Sequence, residues 1–383
     1  MYARTLAPPK TSFFLFGPRA TGKSTWLRKV LPDAHWCDLL ATDVYLRFLH
    51  EPAAFRREVE GLPNDTWVVV DEVQKVPALL DEVHGIIARH GRRYRFALSG
   101  SSARRLRRLD ANMLAGRVVN RAFFPLTLAE LDGDATIDDV LRTGLLPGVR
   151  SEPEIAFETL EAYAANYLQQ EIQQEALTKD LAGFSRFLRV AALLNAQIVN
   201  VSNVANEAQV ARSTVTRYFG VLADTLIGVW LPAWQPRLKV REVAHPKFYF
   251  FDPGVARAAA GRVRAAVHES EKGALLETWV LHELRAHLQL AQCGGEMAWY
   301  RTGAGVEVDF IWNGPDHRVG IEVKASTRWR PEYGAALREL LGQKVIRSAV
   351  GVYLGDRTLD DGGVRVLPAK RWAATLGDTL PGR

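Results

Sequence analysis

Runs that are apolar throughout alternate with helical patterns in the first part of the chain. Phe13–Phe16 ends at Gly17, a run over 68–70 ends in Asp71 and Glu72, and the run within YRFALSGSS ends in Ser99, Ser101 and Ser102. A helix-like segment opens near Lys23. Strands without a polar face, separated by helices, predict a parallel sheet covered on both sides. The pattern breaks near GLLPGVRSEPE, which bounds a first domain at residues 1–150.

Residues 151–245 read as helical. EIAFETLEAYAANYLQQEI has apolar residues at helical spacing; a short helix, a turn at 210–212 and a second helix follow. Ser213 suits the N-cap of that second helix, and Val215, Tyr218, Phe219 and Leu222 fall on one of its faces. This is the rhythm of a helix-turn-helix, winged in form. Either it reads DNA through Arg212, Thr214, Thr216 and Arg217, or it is an inter-domain scaffold. Residues 246–383 open with KFYFFDPG and continue through the amphipathic helix GALLETWVLHELRAHLQLA. Strands in MAWYRTGAGVEVDFIW and VGIEVKAS, a helix over 333–341 and a last strand AVGVYL complete a small α/β or α+β domain.

Composition refines this picture only a little. With 383 residues, 48% hydrophobic and 24% charged, the chain is a multidomain globular protein of α/β class. Its net charge of +6 favours an anionic partner such as nucleic acid, though weakly. Arginines cluster at Arg89, Arg92, Arg93 and Arg95 and again at Arg104, Arg105, Arg107 and Arg108, either as solvated surface or facing phosphates. Cys37 and Cys293 lack metal-ligand spacing and imply no disulfide framework, so a reducing cytoplasm is the expected location. No run approaches the ~20 apolar residues of a membrane span, so no membrane is expected. The histidines show no zinc-like pairing, and no nucleophile elbow is present.

Chemistry enters at Gly17, Pro18, Arg19, Ala20, Thr21, Gly22, Lys23 and Ser24, which match G-x-x-x-x-G-K-[ST] between a strand and a helix. Such a loop wraps backbone N–H groups around the phosphates of ATP at a helix N-terminus. Lys23 is expected to reach the β- and γ-phosphates, Ser24 to ligate Mg²⁺, and Thr25 to pack nearby. Asp71 is positioned to hold Mg²⁺ through water and Glu72 to polarise the attacking water, which points to hydrolysis. Ser101 is placed either to sense the γ-phosphate or to form a turn. Arg117, Arg104 and Arg105 are candidates for a positive group at the γ-phosphate, within the chain or from a neighbouring subunit.

A second polar cluster lies in VEVDFIW and IEVKAS. Val306, Val308, Phe310 and Trp312 alternate with Glu307 and Asp309; Ile321, Val323 and Ala325 alternate with Glu322, Lys324 and Ser326. Spacing alone describes two strands with one wet face. A hairpin centred on 314–317 would set Asp309 opposite Glu322, and two like charges facing each other call for a cation, either Lys324 or a metal. The metal would be oxygen-ligated Mg²⁺ or Mn²⁺, lowering the pKa of a bound water, with Lys324 orienting the nucleophile.

FFLFGPRATGKSTWL, VVVDEVQKVPALLDEVH, FALSGSSARRL, LAGRVVNRAFFPLTLAEL, KFYFFDPGVA, GALLETWVLHEL, VEVDFIW and IEVKAS resemble the bacterial and archaeal AAA-type ATPases that carry a C-terminal DUF4143 domain. The similarity covers nearly the whole chain. It implies a P-loop ATPase that forms a homo-oligomer, such as a hexameric ring, and a C-terminal restriction-endonuclease-like domain of the PD-(D/E)xK class. Glu277 matches the family position of a further acid; otherwise it is a surface carboxylate pairing with Lys272 or His282. The proline of the class name is absent, since Asp309 follows Val308. The expected function is an ATP-hydrolysing, DNA-associated enzyme with a metal-dependent nuclease domain, in genome maintenance or defence. The alternative is an ATP-driven switch or scaffold whose nuclease-like domain binds DNA or protein without cutting.

Overall fold

The computed structural model describes residues 2–101, 114, 116–131, 135–167, 180–235, 245–302 and 305–380. They form two compact units, one built essentially from residues 3–125 and the other from 126–223 and 227–383.

The first unit is a parallel sheet of β1 (Phe13–Phe16), β2 (His35–Asp38), β3 (Trp67–Asp71), β4 (Arg95–Gly100) and β5 (Val119–Ala122), in the order β2-β3-β4-β1-β5. As the all-apolar strands require, each face has its own core. Phe13, Leu15, Val69 and Ala97 pack with Trp26 and Leu27 of α1 (Lys23–Val30). Phe14, Val68, Val70, Phe96 and Leu98 pack with residues of α2 (Thr42–His50), α3 (Pro52–Glu60) and α4 (Leu79–His90).

Residues 126–131 and 135–150 fold with the second unit, short of the break that the sequence suggested at 150. Leu126, Val140, Leu141, Leu145 and Leu146 are buried in the second unit's core, which runs to Leu380. The middle of this unit holds α5 (Leu181–Leu193), α6 (Val201–Ala208) and α7 (Arg212–Asp224). Val215, Tyr218, Phe219 and Leu222 are buried on one face, while Arg212, Thr216 and Arg217 are exposed. Helix α7 starts at Arg212, and Ala211 rather than Ser213 supplies the first helical carbonyl, to Val215; Ser213 lies inside the first turn.

Beside these helices is a small antiparallel sheet, β6 (Gln197–Ile198), β7 (Gly228–Leu231) and β8 (Lys247–Phe250), in the order β6-β8-β7. It spans the division drawn at 245/246. Helix α8 (Pro253–Ala259) follows, capped by Asp252, and then the long α9 (Glu269–Leu290).

The last sheet has the order β13-β14-β12-β11-β10-β9. Strands β9 (Glu296–Arg301), β10 (Glu307–Asn313) and β11 (Arg318–Lys324) are antiparallel neighbours. After α10 (Ala335–Gly342), β12 (Ser348–Tyr353) runs parallel to β11. The order helix, three strands, helix, strand is the one read from the sequence. The chain then adds β13 (Leu359–Asp361) and β14 (Val364–Pro368), beyond the strand expected to be last. Phe310, Trp312, Ile321 and Val323 join Trp279 of α9 in one core, and Ile311 joins Leu337 and Leu340 of α10 in another. The sheet is therefore covered on both faces, and the wet face expected for Asp309 and Glu322 is buried: each is 6% exposed.

Candidate functional site

The loop after β1 is held in shape by contacts that its sequence allows. A Cβ on Gly17 would lie 2.2 Å from the Phe123 carbonyl oxygen, so only glycine fits there. Gly22, with φ +89°, is the left-handed cap of α1. Thr21 Oγ1 donates to the Pro18 carbonyl at 2.8 Å, and Lys23 Nζ donates to the carbonyls of Gly17 and Pro18 at 2.8 and 2.9 Å. From behind, the Arg4 guanidinium donates to the Thr21 carbonyl at 2.9 Å and to the Phe124 carbonyl at 2.7 Å while stacking on the Phe123 ring. Arg4 was invisible as a site residue because its partners are backbone carbonyls that no local pattern links to it, one of them, Phe124, 120 residues away.

Strands β3 and β4 bring the expected acids and serines together. The Ser99 hydroxyl bonds Asp71, and the Glu72 N–H donates to Ser99 Oγ at 3.2 Å. Glu72 sits at φ 60°, ψ 46°, a left-handed conformation uncommon for a side-chain-bearing residue. Its carboxylate accepts from Ser101 Oγ at 3.1 Å and from Gln74 Nε2, which also donates to Ser101 at 3.0 Å. Gln74, absent from the sequence-derived set, thus ties Glu72 to Ser101. Ser24 is half-buried and Thr25 exposed at the start of α1. Arg117 is exposed, while Arg104 and Arg105 fall outside the described residues.

In the second unit, the β10–β11 hairpin pairs Phe310 with Ile321 and closes through the Gly314 N–H to the His317 carbonyl. One residue further on, Asp309 lies beside Glu322, and the Val323 N–H donates to Asp309 Oδ2 at 2.8 Å. A register shift between Val308 and Ile311 in the β9–β10 pairing brackets Asp309, the kind of bulge that re-aims a side chain. Lys324 bonds Glu322. Glu277 comes from α9 and accepts from the Tyr249 hydroxyl at 3.0 Å. Neither expected partner of a surface Glu277 applies, since Lys272 pairs with Asp138 and His282 bonds the Leu126 carbonyl.

A further cation enters from β8. Lys247 Nζ lies 2.8 Å from Glu307 Oε1 and 3.7 Å from both Glu277 Oε2 and Asp309 Oδ1. Burial alone would lower its pKa, but Glu277, Asp309 and Glu307 hold it above the ordinary lysine range. Burial and the Asp309 charge push Glu277 and Glu322 well above the usual carboxylate range. Lys324 is raised as well: its burial is outweighed by Glu322 and Asp309. The signal for Lys247 was present in the sequence as a lysine opening the otherwise apolar run KFYFF, where a buried ammonium needs carboxylate partners.

Carboxylate oxygens are the donor type of a hard divalent ion, but no three of these acids have ligand oxygens all within 4.8 Å of one another. Glu322 Oε2 is buried with no hydrogen-bond partner, which is the environment of an acceptor awaiting a cation. Ionised, Glu277, Glu307, Asp309 and Glu322 outweigh Lys247, Lys324 and Arg301, whose guanidinium lies 3.8 Å from Glu307 Oε2, by one formal charge. Among the described residues, His35, Cys37 and Glu58 are the set whose ligand atoms all lie within 4.8 Å of one another. There Glu58 already pairs with His35 at 2.7 Å and Arg47 at 3.1 Å, and burial pushes the Cys37 thiol up to about 12. An internally neutralised ion-pair network accounts for that set.

Three family models match the chain: an AAA domain over residues 9–132, DUF8612, a domain of unknown function, over 134–265, and DUF4143, another domain of unknown function, over 272–372. The chain therefore carries an AAA-type ATPase domain at its N-terminus and a DUF4143 domain at its C-terminus. Two curated relatives are the uncharacterized proteins Rv2008c of Mycobacterium tuberculosis and Mb2031c of Mycobacterium bovis. Each is 27% identical over 347 residues, covering 89% of this chain and 76% of the relative. Among solved structures, the RuvB protein of Thermotoga maritima is 16% identical with a TM-score of 0.30, over 58% of this chain and 82% of that one. Protein VC1899 of Vibrio cholerae is 12% identical with a TM-score of 0.24, over 96% of this chain and 98% of that one.

Proposed function

We propose that this protein is an ATP-hydrolysing, DNA-associated enzyme in which the AAA domain is joined to a divalent-metal-dependent nuclease domain. The observation that carries the nuclease half is the convergence of Glu277, Asp309, Glu322 and Lys324 from one helix and two strands, with a buried carboxylate oxygen of Glu322 unpartnered. In the first unit, Lys23 and the loop N–H groups bind phosphate, Asp71 and Ser24 supply oxygens for Mg²⁺, and Glu72 orients and deprotonates the attacking water. Mg²⁺ held there would neutralise charge developing on the phosphates. In the second unit, Glu277, Asp309 and Glu322 would hold Mg²⁺ or Mn²⁺, an ion that would supply a water of lowered pKa for attack on a phosphodiester. Lys324 donates to the developing negative charge. The exposed Arg212, Thr216 and Arg217 of α7 offer the contacts for DNA, and a homo-oligomer would supply Arg117 or another arginine to a neighbour's nucleotide.

A second reading is favoured by Lys247. With a second ammonium besides Lys324 already among the acids, the domain would bind DNA or protein without cutting and act as a nucleotide-driven switch. Wild type, Lys23→Ala and Lys324→Ala incubated with single- and double-stranded DNA, ATP, and Mg²⁺ or Mn²⁺ separate the readings. The nuclease reading expects cleavage by wild type and its loss in Lys324→Ala. DNA-stimulated ATP hydrolysis without cleavage under any condition would favour the switch. Absence of ATP hydrolysis by wild type would overturn both.

A further inference from the structure

We propose that Gln74 is a second ligand of the water that attacks ATP: its amide oxygen and a carboxylate oxygen of Glu72 each accept one of the two O–H groups of that water. This rests on the reading of the first unit as an ATPase. Gln74 Nε2 donates to Glu72 Oε2 and to Ser101 Oγ, and Ser101 Oγ donates to the same Glu72 oxygen. A carboxylate only accepts, so the amide nitrogen must face Glu72 and the amide oxygen is left over. Gln74 is 5% exposed, and its Oε1 is buried without a hydrogen-bond partner. Glu72 uses Oε2 for both of its side-chain bonds, and among the described residues Oε1 receives none. This small network therefore keeps two unfilled acceptors, and a buried acceptor is costly until a donor fills it. A water brings two donors.

The fold puts this pair at the reacting end of the nucleotide. Strands β3, β4 and β1 are parallel neighbours in that order, so their C-terminal ends lie side by side. The phosphate loop follows β1, Ser101 follows β4 and Glu72 follows β3. A γ-phosphate seated on the loop thus has Ser101 and then the Glu72–Gln74 pair beside it. The left-handed backbone of Glu72 turns the chain into the short 3-10 turn Val73–Lys75, which closes with the Lys75 N–H on the Glu72 carbonyl at 2.9 Å. That turn brings the Gln74 amide back onto the Glu72 carboxylate. Such a conformation is costly for a side-chain-bearing residue and is retained where a site needs it. In the reaction, the water oxygen bonds to the γ-phosphorus while the bond from phosphorus to the bridging oxygen breaks. The electron pair leaves with ADP, and one proton of the water passes to Glu72. The other O–H stays on Gln74, which fixes the rotation of the water and keeps its lone pair aimed at phosphorus. An amide suits this second place because it orients the water without competing for its proton.

The test measures binding of a fluorescent ADP analogue to the full chain with Mg²⁺, in the presence and absence of aluminium fluoride. Aluminium fluoride beside ADP mimics the transferring phosphoryl group with its in-line water, so it reports on that water without turnover. Variants are Gln74→Leu, Glu72→Gln, which keeps shape and removes the base, and the two combined. Aluminium fluoride should tighten binding to wild type. Gln74→Leu should lose about tenfold or more of that gain, while its affinity for the analogue alone stays within about threefold of wild type. The same loss should appear when Gln74→Leu is made on Glu72→Gln, because each side chain holds the water by itself. If Gln74→Leu does not fold, Gln74→Met replaces it under the same expectation. A Gln74→Leu protein that keeps the wild-type gain would overturn the inference. So would a loss that vanishes on the Glu72→Gln background, since Gln74 would then act only by holding Glu72. If wild type hydrolyses ATP but shows no aluminium fluoride gain, single-turnover hydrolysis carries the same cycle. There Gln74→Leu should lower the residual Glu72→Gln rate about tenfold, and an unchanged rate would overturn the inference. A wild type that hydrolyses no ATP would overturn the ATPase reading, and this inference with it.

Discussion

Glu283 offers a quantitative test of how α9, the helix that carries Glu277, is anchored. It is buried one turn and a half further along the helix, and burial pushes its carboxyl up to about 8. Both donors that reach it, the Leu128 N–H at 2.8 Å and the Trp279 Nε1–H at 3.1 Å, address Oε1. A glutamine at 283 can keep that oxygen in place while losing the titration. The sign follows from proton counting. Between the unperturbed value of 4.5 and about 8 the native state holds a proton that the unfolded state has released. Stability therefore falls as pH rises through this window, by at most ~1.4 kcal/mol per pH unit. Allowing for relaxation and water entry, Glu283→Gln should match wild type near pH 5 and exceed it by about 2 kcal/mol near pH 8.5, roughly 5 °C in melting temperature. Thermal unfolding of both proteins across this range, compared as a difference so that other titrations cancel, provides the measurement. Parallel curves, or a variant less stable than wild type at pH 8.5, would refute the assignment of a buried, proton-holding Glu283.

Two other perturbations address the nucleotide loop. Gly17→Ala puts a Cβ against the Phe123 carbonyl and must displace the loop; affinity for a fluorescent ATP analogue should fall about tenfold or more, and unchanged affinity would show that the close approach has no effect on binding. Gln74→Leu removes the donor shared by Glu72 and Ser101; kcat for ATP should drop about 10- to 100-fold with KM within about threefold, and an unaltered kcat would show that Gln74 does not position the acid.

The nucleotide loop, the parallel sheet and the acid pair after β3 were legible because local rules determine them. A strand apolar on both faces must be covered, a glycine must stand where the backbone turns left-handed, and the phosphate motif is contiguous. The hairpin register was legible for a related reason. The two-residue side-chain period and the turn at 314–317 leave one alignment that buries the apolar faces together, and that alignment sets Asp309 beside Glu322. Burial of those acids was not legible, because it depends on α9 and α10 closing over both faces of the sheet. Nor was the extent of the first unit: whether Leu126 to Leu146 packs with one core or the other is a choice between equally apolar surfaces.

The sequence by itself determined β1, β3 and β4 of the first sheet, the helix, three-strand, helix, strand order of the last domain, where the phosphate-loop motif lies, and which carboxylates share a hairpin. Only the tertiary structure decided that Lys247 and Tyr249 join Glu277, Asp309, Glu322 and Lys324, that Gln74 holds Glu72, and that Arg4 props the loop. The physical reason is range. Periodicity and turn chemistry act between neighbours in the chain. The partner of a buried charge is set by whichever distant element the core delivers to it, and β8 delivers an ammonium to acids that lie beyond it in the sequence.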